Sequence, residues 1–134
     1  MPAALSDDSK NVLDGPVFVT TATVQPDGSP HLSPVRVKRD GDDVLFCTTD
    51  GCRKVQNPRR DPRVTVLVRP SGAPYTYSGI RGSAELVTEG GRELIGELSR
   101  KYTGMAYAEF DPGVPDNGER VVVRVTPHKV VGRL

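Results

Sequence analysis

The stretch VLFCTTDGCRKVQNPRRDPRVTVLV, residues 44–68, decides how the rest of the chain is read. Val44 to Thr49 reads as a strand with the short apolar centre Val44-Leu45-Phe46, and strand propensity returns from Arg63 to Arg69. Between them Gly51 breaks the β pattern, and Cys52 to Asn57 is expected to form a short helical turn before Pro58 interrupts it. The same stretch concentrates charge: Gly51 to Arg63 holds Arg53, Lys54, Arg59, Arg60 and Arg63 against Asp61 alone. The whole chain has 18 basic and 17 acidic side chains and a formal charge of +1, so any electrostatic function is local.

Working outward, the pattern stays mostly β. Val17 to Val24 is rich in β-branched residues, Pro26-Asp27-Gly28 makes a turn, and His31 to Lys38 follows as a second strand. Arg39 to Asp43 turns around Gly41 into the strand at Val44, so three consecutive strands form a meander. Beyond Arg69, Pro70-Ser71-Gly72 and Pro74 form a loop. Tyr75 to Val87 then reads as a long strand with Gly79 and Gly82 as bulges or bends. Two helices frame this β region. Ser6 caps one that runs to Leu13, with Asp7 and Asp8 in its first turn. In the other, from Gly91 to Tyr102, Leu94, Ile95, Leu98 and Tyr102 share a face, and Gly104 ends it. A Pro/Gly-rich loop, Asp111 to Gly118, leads to a closing strand from Arg120 to Thr126.

At 134 residues and 14.5 kDa the chain is one domain, 1–134, and a multidomain enzyme is excluded. Six or so strands linked mostly by hairpins predict a mainly β fold, a small antiparallel barrel with flanking helices. With aromatics at 5% and no Trp, such a barrel is thin on core, which predicts a second copy covering part of its apolar surface. No apolar run approaches the roughly 18 residues that span a bilayer, and MPAALSDDSK has no apolar leader core, so a cytoplasmic protein without a membrane partner is expected. Cys47 and Cys52, with His31 and His128 far away in sequence, do not make a metal site; Cys47 is expected in a strand and Cys52 in the turn after it. The cationic stretch lacks interleaved aromatics, which disfavours a nucleic-acid partner. No Ser or Cys sits in a nucleophile-elbow context.

What remains is the cradle. Thr48 and Thr49, free backbone N–H groups at a helical turn, and the adjacent cations Arg53 and Lys54 are the groups phosphate binding needs. A solvated charged turn is the alternative, and the residues alone leave both open. Arg59, Arg60 and Arg63 read as surface residues.

The run Val44 to Lys54, with Asn57 and Asp61-Pro62-Arg63-Val64, resembles the cofactor segment of the flavin and deazaflavin oxidoreductases with a split β-barrel, the group that includes pyridoxamine phosphate oxidase. It most resembles the coenzyme F420-dependent branch. Asp27-Gly28-Ser29-Pro30-His31, Tyr75 to Glu85, Arg100-Lys101-Tyr102-Thr103-Gly104 and Arg120 to Gly132 support the resemblance. It implies an FMN-binding split-barrel fold in which Cys47, Thr48, Thr49, Arg53 and Lys54 hold the cofactor's phosphate, with Asn57 nearby. It implies that Ser33, Pro34, Val35 and Arg36 lie along the ring system. It also implies a homodimer with a shared site, in which Tyr75, Thr76 and Tyr77 approach the partner's cofactor.

Two departures matter. Ser33 stands where pyridoxamine phosphate oxidases begin their strand-two motif with Arg, and their Trp- and Arg-containing substrate signature is missing, so vitamin B6 oxidation is not expected. The resemblance therefore implies hydride transfer between coenzyme F420 and a small electron-poor substrate, with Arg59 and Arg60 screening a polyglutamate-like tail. FMN as cofactor, or a non-catalytic flavin, deazaflavin or tetrapyrrole binder, are the alternatives. No dedicated proton donor stands out; Tyr77 and His31 are candidates, each with a structural reading beside it, His31 as a strand residue and Tyr77 with Tyr75 as interface packing.

Overall fold

The computed structural model describes residues 2–49, 51–73, 75–104 and 120–134. In chain order the elements are α1 (Asp7–Asp14), β1 (Val19–Val24), β2 (Pro30–Val35), β3 (Lys38–Asp40), β4 (Asp43–Thr49), α2 (Arg53–Arg60), β5 (Arg63–Val68), β6 (Ser78–Val87), α3 (Gly91–Thr103) and β7 (Arg120–Gly132). The expected loop Asp111 to Gly118 lies outside the described residues.

All seven strands form one antiparallel sheet in the order β2-β1-β5-β6-β7-β4-β3. Its two edges, β2 and β3, are consecutive in sequence and only Arg36 and Val37 separate them. A sheet whose edges are joined by two residues has to curl until they meet, and the result is a split barrel with its seam at Arg36-Val37. Period-two alternation sends Val19, Thr21 and Thr23 inward from β1, and Val64, Val66 and Val68 inward from β5. They meet Val44 and Phe46 of β4 and Val123 and Val125 of β7; Phe46 heads the fully buried side chains by size. A smaller cluster outside the barrel sets Leu45, Cys47 and Val122 against Leu94 and Leu98 of α3.

The last turn of α3 holds the seam. The Tyr102 hydroxyl accepts from Val37 N at 2.9 Å and donates to Val17 O. Lys101 Nζ donates to Leu13 O at 2.6 Å and to Val37 O at 2.7 Å. Both main-chain groups of Val37 are thus satisfied by side chains, which is why the expected single strand His31 to Lys38 is two strands with a break.

Other boundaries differ from the sequence expectation by a residue or two, and three differ further, each for a local reason. α2 continues through Pro58 to Arg60, because the one amide Pro58 lacks would have bonded Lys54 O, and Asp61 N closes the last turn on Asn57 O at 2.8 Å. β6 begins at Ser78, not Tyr75, because Tyr77 O already accepts from Arg133 N and Leu134 N and the pairing with β7 starts at Ser78 and Gly132. Tyr75 and Tyr77 therefore do not share a strand face. β7 runs past Thr126 to Gly132 because Pro127, which has no amide to give, sits opposite Gly82 at a bulge between Arg81 and Gly82. The bulge is the one expected at Gly82, where a Cβ would collide with Thr126 O.

Candidate functional site

α2 packs against β4 on one flank of the sheet order and against β1 and β2 on the other, so it lies across one mouth of the barrel. Its N-terminus differs from those of the other helices. α1 has the Ser6 side chain accepting from Ser9 N and two aspartates in its first turn, and α3 has Glu93. At α2 the N-cap residue is Cys52, no side chain caps the helix, no acid stands in its first turn, and Arg53 and Lys54 occupy the first two positions. Two cations at the positive end of a helix dipole raise the energy of the free protein, and an anion there lowers it.

The cationic cluster now sorts itself. Arg63 is bound to Asp61, with Nη2 to Oδ2 at 2.7 Å, and this contact holds the Asp61 carboxyl down at about 2. Arg60 donates to Val24 O, so it is tied to the end of β1. Among the described residues Arg53 and Lys54 have no carboxylate partner, whereas Lys10, Lys38, Arg39 and Arg124 each do. Arg53 and Lys54 are the cations left for an anionic ligand.

Thr48, Thr49 and Cys52 come together beside them. Thr49 Oγ1 and Cys52 Sγ share a hydrogen bond of 3.1 Å, and Cys52 N donates to Thr49 O at 3.3 Å. The Thr49 hydroxyl, then that of Thr48, hold the Cys52 thiol below its ordinary value, and the Lys54 charge adds to this. Cys47 alternates to the other side of β4: its thiol donates to Gly91 O at 3.5 Å under α3, and burial pushes its pKa up. Only its main chain borders the cradle. Both cysteines are free, Cys47 in a strand and Cys52 at the turn into α2, as the sequence indicates.

Asn57 is fully buried and its Nδ2 donates to Thr23 Oγ1 at 3.1 Å, a pairing no sequence pattern announces across 34 positions. Asn57 Oδ1 has no partner, and neither does His31 Nδ1, which is buried on β2 opposite Thr23. Two orphaned polar atoms flank Thr23 at the barrel mouth that α2 covers. Ser33, Pro34 and Val35 lie on β2, whose outer edge has no strand partner among the described residues, so alternate residues turn their main chain away from β1, and Pro34 can there only accept. Arg36 follows at the seam, its guanidinium 5.5 Å from the Tyr102 ring centroid and 5.9 Å from that of Phe18. Tyr75, Thr76 and Tyr77 stand apart on the surface before β6, with Tyr75 93% exposed. A single chain does not bring them to the cradle.

Uncapped amides, two unpartnered cations and two threonine hydroxyls fit a phosphate, and the free edge of β2 fits the polar rim of a flavin-type ring. No helix among the described residues is long and apolar enough to cross a membrane.

Comparison with known proteins agrees with this geometry. The chain is similar to a structure described as an F420 reductase, with 26% identity, a TM-score of 0.81 and coverage of 95% of this chain and 98% of that one. It is also similar to the conserved hypothetical protein Rv2991 from Mycobacterium tuberculosis, at 27% identity and a TM-score of 0.75, covering 96% and 84% of the two chains. A putative pyridoxamine 5'-phosphate oxidase from Listeria innocua shares the fold at 21% identity and a TM-score of 0.67, covering 94% and 95%. No curated protein sequence matches. The family model for pyridoxamine 5'-phosphate oxidase matches residues 5–133, and the chain belongs to that family of split-barrel oxidoreductases.

Proposed function

We propose that the protein is a coenzyme F420-dependent oxidoreductase that acts on a small electron-poor substrate. The observation that carries this reading is the N-terminus of α2, where Arg53 and Lys54 stand without carboxylate partners at a helix end that no side chain caps. The similarity over nearly its full length to an F420 reductase supports the deazaflavin over FMN. Held by Arg53, Lys54 and the first amides of α2, a reduced deazaflavin would supply the hydride for an electron-poor double bond, with the accompanying proton coming from solvent.

The chain's own residues bind and orient. Arg53 and Lys54 pair with the phosphate, and the first amides of α2 donate to it. Along the free edge of Ser33, Pro34 and Val35 the main chain offers acceptors to the rim of the ring, Pro34 having a carbonyl and no N–H. Asn57, fully buried, supports the site from behind through its bond to Thr23. In this reading the protein is a homodimer, and Tyr75, Thr76 and Tyr77 complete the site of the partner; their exposure on the single chain supports this.

The test is titration of the purified protein with coenzyme F420 and, separately, with FMN, in wild type and Lys54→Ala. Micromolar binding of coenzyme F420, weakened about tenfold in the variant, supports the reading. Preference for FMN moves the protein to the flavin branch of the same family. Binding of neither leaves Arg53 and Lys54 as a solvated turn and rejects the proposal.

A further inference from the structure

Phe18 is 61% exposed just before β1, and its surroundings are cationic. The β1–β2 register pairs Val19 with Val35, and the β1–β5 register pairs Thr20 with Leu67. Continued by one or two residues, these registers set Phe18 between Arg36 on one side and Arg69 on the other, all three on the outer face of the sheet. The ring is held in place: Arg36 lies over it at 5.9 Å, and Tyr102, anchored at the seam by two hydrogen bonds, lies against it with centroids 5.3 Å apart. Arg69 has no hydrogen-bond or ion-pair partner among the described residues.

Phe18 and Arg69, though not Arg36 or Tyr102, line a groove of about 480 Å³ together with Pro16, Val17, Ser71 and Gly72. That volume lies within the range of small-molecule sites, roughly 300–1,000 Å³. No acidic residue lines it among the described residues. An exposed aromatic ring flanked by guanidinium groups suits one kind of ligand, a flat conjugated system that carries a negative charge. The ring stacks on Phe18 and the anion meets Arg69.

We propose that this groove is a pocket for planar anions, above all aromatic or conjugated carboxylates. Its use as the substrate pocket rests on the cofactor reading above, since Arg36 ends the β2 segment assigned to the cofactor ring and also roofs Phe18. The pocket then selects a charged, conjugated acceptor and seats it beside that segment.

The test needs no turnover. The probes are 2-naphthoate and its uncharged analogue 2-naphthamide, titrated calorimetrically against the cofactor-free protein. Wild type is expected to bind the carboxylate about tenfold more tightly than the amide. Arg69→Gln, a change at an exposed position, erases the preference while leaving the amide unaffected. Phe18→Leu weakens both probes, and Lys129→Gln on β7, an equal loss of charge elsewhere, changes neither. Equal affinity for the two probes in wild type, or a preference that survives Arg69→Gln, overturns the pocket. Cofactor titration of the same samples separates the two proposals. Cofactor binding without a carboxylate preference overturns the pocket alone, and a carboxylate preference without cofactor binding overturns the cofactor reading alone.

Discussion

A single hydroxyl at Tyr102 serves two main-chain groups from different parts of the chain, Val17 O and Val37 N. Tyr102→Phe keeps the ring against Phe18 but leaves both groups without their partner, and stability to urea is expected to fall by about 1–3 kcal/mol. A change within error would mean that water replaces the hydroxyl at no cost. Asp61 gives a prediction in acid. Its carboxyl is held near 2 against an ordinary 3.8, chiefly by the hydrogen bond from Arg63. A carboxyl depressed in the folded state stabilises fully above its unfolded value and loses that contribution as pH falls through the folded one. Titration of the Asp61 carboxyl by NMR should therefore centre near 2 in wild type and return towards 3.8 in Arg63→Gln; an unmoved midpoint would reject the assignment. Residues of this kind differ in how readable they are from sequence. Arg53 and Lys54 are legible because their chemistry is adjacent in the chain. Thr23 is not, because its partner Asn57 reaches it only after the barrel has closed.

Among the elements, α2 pits stability against binding. Its first turn lacks both a cap and a negative charge. Cys52→Asp supplies both and is expected to raise stability by about 0.5–1 kcal/mol. The same carboxylate occupies the position proposed for the cofactor phosphate, so cofactor affinity should fall in the same variant. Urea denaturation and cofactor titration on one sample would show the two effects with opposite sign, and an affinity that does not fall would place the phosphate elsewhere. The β6 bulge yields a one-sided prediction. Gly82→Ala drives a methyl group into Thr126 O and should cost about 1–3 kcal/mol, read as a lowered melting temperature. Element types were legible because the β-branched runs and the α3 apolar face follow the expected periods. The boundaries were harder. Pro58 and Pro127 each look like a stop in sequence, yet α2 loses only one bond at Pro58 and the bulge absorbs Pro127.

For the whole molecule, the outer face of β2, β1 and β5 is the surface to watch. Leu32 is 64% exposed and Leu67 38%, on the same face as Phe18, so a dimer through it would set the Phe18 groove between the two copies. If the protein is a dimer through this face, sedimentation will give twice the chain mass of 14.5 kDa, and Leu32→Glu will give single chains with weaker cofactor binding. A wild-type monomer that still binds cofactor tightly would show that one chain suffices. The split-barrel architecture was legible from the turn-and-strand rhythm together with the family resemblance, but the seam was not, because the break at Arg36-Val37 depends on side chains that lie 65 positions further on. That seam has an evolutionary consequence. Leu13 and Val37 are held apolar by the core they fill, but Lys101 and Tyr102 grip carbonyl groups and one amide, which any residue but proline offers, so the grip itself asks for no particular side chain at positions 13, 17 and 37. Selection falls instead on two neighbouring letters near the end of α3. Relatives that keep a cation followed by tyrosine there, while exchanging one apolar residue for another at the three positions gripped, would be the record of a barrel closed by its backbone.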